Sequence, residues 1–176
     1  MAEDLDRERL EALLSAMAER LQGDWLLVGG ALAALWLDEP SRTTEDVDLV
    51  GLSGAPEERL ALMQFAEDMG LPIEAVNSAA DFFVRRIPGW QEEIEIFRTG
   101  PKSRIYRPTP TLFLLLKIDR LSEQDLGDCL ATIRKVRGAG LRLDSTRVLS
   151  TLDALTPSDA PLQERRRLLR QALLTV

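Results

Sequence analysis

The sequence has no histidine among its 176 residues. That excludes Ser–His and Cys–His nucleophilic chemistry, histidine-based acid–base catalysis and nearly every zinc site. The single cysteine, Cys129, excludes an intrachain disulfide and fits a reducing compartment. No apolar run approaches membrane-spanning length; the longest candidate, residues 112–116, is a core segment. The N-terminus, Met1-Ala2-Glu3-Asp4, is acidic and lacks the basic-then-apolar order of a signal peptide. The expectation is a cytoplasmic protein with no membrane partner. Its chemistry must rest on carboxylates, lysine, arginine, hydroxyls or an oxygen-ligated metal.

What is present suits a globular chain. Hydrophobic residues make up 45% and charged residues 29%, enough for one ordinary core without a disordered tract. The net charge of −7 hides an asymmetry. Residues 1–100 hold 8 Lys and Arg against 21 Asp and Glu, and residues 101–176 hold 14 against 8. An acidic half concentrates divalent cations and a basic half faces phosphates, although an unevenly solvated surface explains the same balance.

The periodicity of Leu10, Leu13, Leu14, Met17, Ala18 and Leu21 predicts a helix over residues 4–21. A short apolar strand follows at 25–28, then Gly29-Gly30 and a helix over 31–37. A second strand is expected at 46–50 and a helix from Pro56 to about 70. Residues 82–87 and 92–97 read as two strands of a hairpin turned at Pro88-Gly89. Residues 100–110 read as a linker, and helices are expected over 111–121, 124–137, 145–155 and 162–173. The order implies an α/β or α+β class: a short mixed β-sheet with flanking helices, followed by a C-terminal helical segment.

Three features sit near one another: a Gly-Gly turn after an apolar strand, Asp46-Val47-Asp48, and Glu93-Ile94-Glu95. With 29 acids in 176 positions, about five acid-x-acid pairs arise by chance, so placement decides. Strand side chains alternate, so Asp46 and Asp48 share a face, as do Glu93 and Glu95. Adjacent carboxylates repel, and a hard divalent cation such as Mg²⁺ relieves that cost while also taking phosphate oxygens. Gly29 and Gly30 admit a phosphate close to the backbone, and the following helix N-terminus offers unpaired N–H groups. Arg42 either touches that phosphate or pairs with the acids. Thr44 reads as a hydroxyl bonding its own backbone, or as a ligand.

Val28-Gly29-Gly30-Ala31-Leu32 followed by Arg42-x-Thr44-x-Asp46-Val47-Asp48 resembles the signature of the nucleotidyltransferase superfamily, nearest its AbiEii-like branch and related uncharacterised bacterial members. Leu115-Leu116-Lys117-Ile118-Asp119-Arg120 and Asp125-Leu126-x-Asp128 are similar to the helical motifs of the same group, so the resemblance spans about residues 25–130. It implies a nucleotidyltransferase-like core over residues 1–107 and a helical region over 108–176 packed on it as one globular unit. It also implies metal-dependent transfer of a nucleoside monophosphate from a nucleoside triphosphate to a hydroxyl acceptor, releasing pyrophosphate.

By position, Asp46 and Asp48 match the ligands for Mg²⁺ or Mn²⁺. Glu95, with Glu93 as alternate, is assigned the third carboxylate that activates the acceptor. Lys117 is assigned to the triphosphate, and Asp125 or Asp128 to orienting it or Arg120. The acceptor is a tRNA end, a protein or a small molecule. A toxin role implies a cognate antitoxin as partner, and a degenerate member would act as a binding partner or regulator instead. Gly30 replaces the serine of many members, and Leu32-Ala33 replaces the Arg-Asp of enzymes that build tRNA 3′ ends, which excludes that activity. Cys129, Trp25 and Trp36 read as core, and Trp90 as exposed. The arginines of Arg165-Arg166-Arg167 and Arg170 read as a solvated basic face, with nucleic acid as the alternative.

Overall fold

The apolar stripe of the first helix is buried as its spacing requires. In the computed structural model, which describes residues 5–37, 43–156 and 159–175, helix α1 spans Arg7–Arg20. Asp6 caps it by accepting from the Arg9 backbone N–H at 2.9 Å. The chain forms two units. The first comprises residues up to Pro88 together with Ile94–Pro108, and the second comprises Gly89–Glu93 and residues from Thr109 onward.

The first unit is α/β. Strands β1 (Gly23–Val28), β2 (Val47–Gly51), β3 (Val76–Asn77), β4 (Ile94–Thr99) and β5 (Ser103–Pro108) form one sheet in the order β3-β2-β1-β5-β4. β1 runs antiparallel to β2 and parallel to β5, and β4 and β5 pair antiparallel, so the sheet is mixed. Helix α2 (Gly29–Trp36) follows β1 directly and is buried from Ala31 to Trp36. Helices α3 (Pro56–Asp68) and α4 (Asp81–Arg85) complete the unit. Its core includes Trp25, Leu26, Leu27, Leu32, Leu49 and Ile105.

Two expectations fail here. Residues 82–87 are not a strand: Asp81–Arg85 is a helix in which Val84 is buried while Phe82 and Phe83 face solvent. The aromatic pair imitates a strand in sequence, yet only one residue of that segment turns inward. The expected linker holds β5 instead. Ser103 and Ile105 are buried on alternate positions, and Gly100 lies so close to the Ala18 carbonyl that a Cβ would stand 1.7 Å from its oxygen. The hairpin is therefore β4–β5, one element later than expected.

The second unit is helical: α5 (Pro110–Leu115), α6 (Glu123–Ala139), α7 (Ser145–Ala154) and α8 (Ala160–Leu173). Thr109, Ser122, Asp144 and Asp159 supply the N-caps, and Gly140 ends α6 in the left-handed region at φ 63°. Cys129 is fully buried among the apolar residues of α6. Trp90 is buried too, against expectation, on a 3₁₀ turn (Trp90–Glu93) that lies against α5. No described helix is long and apolar enough to cross a membrane.

Candidate functional site

The site begins with a strand that has nowhere to go but into a turn. Leu26, Leu27 and Val28 are buried, and Val28 is extended. Gly29 then takes φ +71°, a conformation that L side chains resist. Space imposes the same choice independently. A Cβ at position 29 would stand 2.4 Å from Oδ2 of Asp48 and 3.4 Å from its Cγ. The Asp48 carboxylate thus lies directly against the turn, because Val28 and Asp48 are register partners in the β1–β2 ladder. Gly30 sits in the first turn of α2.

Asp46 is the second acid. It precedes β2 by one residue, so the strand begins one position later than expected, and both aspartates are half-buried. The Thr44 hydroxyl donates to the Asp46 carbonyl at 3.2 Å, so it braces the chain entering the strand and is not aimed outward. Arg42 lies outside the described residues.

The neighbour that completes this edge is one the sequence did not announce. β3 pairs in parallel with β2, setting Asn77 opposite Asp48. Its Nδ2 donates to Oδ2 of Asp46 and to the carbonyl of Glu74, both at 3.3 Å, and its Oδ1 accepts from the Ala79 backbone N–H at 2.8 Å. A two-residue strand carries no periodicity, so no pattern could have placed Asn77 here.

The expected third carboxylate does not join them. β1 and β5 stand between β2 and β4, which at strand spacing separates their axes by about 14 Å. Glu95 instead forms an ion pair with Arg107 on β5 at 2.6 Å, and Arg107 stacks over the Trp36 ring at 4.9 Å. Glu93 is not a strand residue at all. It ends the 3₁₀ turn in the second unit, where it accepts from the Thr109 hydroxyl and from Arg147 at 3.1 Å. Among the described residues, no three acidic or thiol side chains converge closely enough to hold a metal ion. The physical reason is sheet order: sequence spacing gives the face of each strand but not which strands are neighbours.

In the second unit, Lys117, Asp125 and Asp128 do come together. The Lys117 Nζ donates to Oδ1 of Asp125 and Oδ2 of Asp128, each at 2.9 Å, and all three side chains are buried. Arg120 holds Asp125 through both Nε (2.8 Å) and Nη2 (2.9 Å), while the Ser122 hydroxyl and backbone N–H also donate to it. Burial opposes ionisation of Asp125. Arg120, Lys117 and Ser122 outweigh it and hold the carboxyl well below the usual carboxylate range. Burial likewise pushes the adjacent Cys129 thiol up to about 12, against the pull of Lys117, so it stays protonated and inert.

The basic stripe of α8 is spent internally. Arg165 donates to the Leu121 carbonyl, Arg166 to that of Thr156, Arg167 pairs with Glu164 and Arg170 with Asp153.

No family model, curated protein or solved structure matches this chain.

The set at the first site is oxygen-only: two carboxylates at the start of β2 beside a glycine turn. That donor chemistry suits Mg²⁺ or Mn²⁺ better than the softer metals that favour nitrogen or sulfur. Two protein carboxylates beside substrate phosphates are an ordinary Mg²⁺ arrangement, so the residues present fit one such ion.

Proposed function

We propose that the chain is a nucleotidyltransferase-like protein that binds a nucleoside triphosphate with a divalent cation, using Asp46 and Asp48 for the cation and the Gly29-Gly30 turn for the phosphates. The observation that carries this reading is the approach of the Asp48 carboxylate to Gly29. A carboxylate that could take a cation lies there against a glycine turn whose backbone carries no Cβ. The N-terminal N–H groups of α2 open at the same turn, and the helix field there favours an anion. A bound divalent cation supplies charge neutralisation between phosphate and carboxylate. The chain's own part is to hold Asp46 and Asp48 at the start of β2, to seat the Asp48 carboxylate against Gly29, and to brace the loop through Thr44.

Mg²⁺-dependent thermal shifts with each of the four nucleoside triphosphates test it. A shift that needs both metal and nucleotide, and is lost in Asp48→Asn, supports the reading. No shift at millimolar nucleotide contradicts it.

A second reading is full transfer of the nucleoside monophosphate to a hydroxyl of a tRNA, a protein or a small molecule, as the order of motifs implies. Against it stands the position of Glu95 on the far side of the sheet, which leaves the acceptor hydroxyl without the carboxylate expected to activate it. A member that binds the nucleotide and acts as a partner or regulator accords better with that geometry. Incubation with α-labelled nucleoside triphosphates and a cell extract separates the two: label on a macromolecule supports transfer, and its absence despite nucleotide binding supports the binder.

A further inference from the structure

We infer that an amide at position 77, where a further acid would be needed, leaves this a single-cation site. The inference rests on the nucleotide-binding reading above and concerns how many ions that site takes. In-line displacement with two metals needs ions about 3.5–4 Å apart, shared by bridging carboxylates and held by at least one further acid. β3 is the strand beside β2 on its outer edge, and the residue it sets opposite Asp48 is an amide.

The orientation of that amide is fixed by the backbone around it. The Ala79 N–H, at 2.8 Å, can only donate, so it demands the oxygen, and the Glu74 carbonyl, at 3.3 Å, can only accept, so it demands the nitrogen. Rotating the amide by half a turn would set donor against donor and acceptor against acceptor. Asn77 therefore turns an N–H toward Oδ2 of Asp46 at 3.3 Å, occupying one carboxylate oxygen and presenting no ligand oxygen in its place.

A cation is excluded from that side of Asp46 by the positive end of the amide dipole. Oδ1 of Asp46, together with Asp48, holds one ion. Aspartate at 77 would keep the bond from Ala79 N–H to one oxygen and turn the other, now anionic, toward Asp46. Two like charges so placed are relieved by a second cation.

The test counts Mn²⁺ retained per bound non-hydrolysable imido analogue of ATP, by equilibrium dialysis of the full chain, for the wild type, Asn77→Asp and Asn77→Ala. One ion in the wild type, one in Asn77→Ala and two in Asn77→Asp are expected. Two ions in the wild type overturn the inference and leave nucleotide binding intact. One ion in a folded Asn77→Asp, with circular dichroism matching the wild type, overturns it as well. If the wild type retains neither analogue nor metal, the nucleotide-binding reading itself fails and the inference falls with it. Should Asn77→Asp not fold, the wild-type count decides alone.

Discussion

The two units carry the same kinds of charged residue at different depths. In the second unit, Asp125 and Asp128 are buried and answered from within the chain by Lys117, with Arg120 added on Asp125. In the first, Asp46 and Asp48 sit half-buried at the start of β2, with a glycine turn against Asp48 and an amide against Asp46. The lesson is about where neutralising charge comes from. A buried carboxylate must be neutralised by the protein or it does not stay ionised. A half-buried carboxylate keeps part of its hydration and needs less from the protein to stay ionised. The first pattern is architecture, and the second is the one we propose as a site.

The largest effect should come from breaking the buried cluster. Lys117→Met leaves two buried carboxylates short of their shared cation and is expected to cost about 3–5 kcal/mol, read as a fall in unfolding midpoint. If Lys117 instead serves a bound triphosphate, the same substitution lowers nucleotide affinity with little loss of stability, and the contrast between the units blurs.

Next in size is Gly29→Ala. It forces an L side chain into φ +71° and a methyl group onto the Asp48 carboxylate, so we expect a loss of about 2 kcal/mol together with loss of the metal–nucleotide shift. Stability lost without any change in nucleotide binding would make the turn merely structural.

Acid should act on the second unit through Asp125. Because its folded-state value lies below the ordinary carboxyl value of about 3.9, its contribution is complete above that pH and is lost as pH falls below it. Stability measured from pH 6 down to pH 2 should drop more steeply below about 4 in the wild type than in Asp125→Asn, which starts lower and is flatter in that window.

The smallest effect is expected from Glu95→Gln. Its pair with Arg107 is half-exposed on the glutamate side, so stability should change by about 0.5 kcal/mol or less and metal–nucleotide binding not at all. Loss of metal binding in Glu95→Gln would return β4 to the site and overturn the sheet-order argument.

Much of this was legible in the sequence and some was not. The turn at Gly29-Gly30, the acidic strand after it, and the link between Lys117 and the Asp-x-x-Asp pair were visible because each is a local pattern on one element or two consecutive ones. β5 was hidden by its prolines and glycine at either end, and α4 by two exposed phenylalanines that read as a strand. Glu95 was misplaced for a different reason. Alternation gives a strand's faces, but the insertion of β1 and β5 between β2 and β4 is decided by long-range packing that no window reports. Asn77 was invisible for both reasons at once, being on a two-residue strand whose partner is 29 positions earlier in the chain.

The most direct measurement is isothermal titration of the wild type and Asp48→Asn with a nucleoside triphosphate in the presence of Mg²⁺ and, separately, of EDTA. The account predicts binding by the wild type only when Mg²⁺ is present, and a loss of at least tenfold in affinity for a fully folded Asp48→Asn. Equal binding by both proteins, or binding indifferent to EDTA, would contradict it.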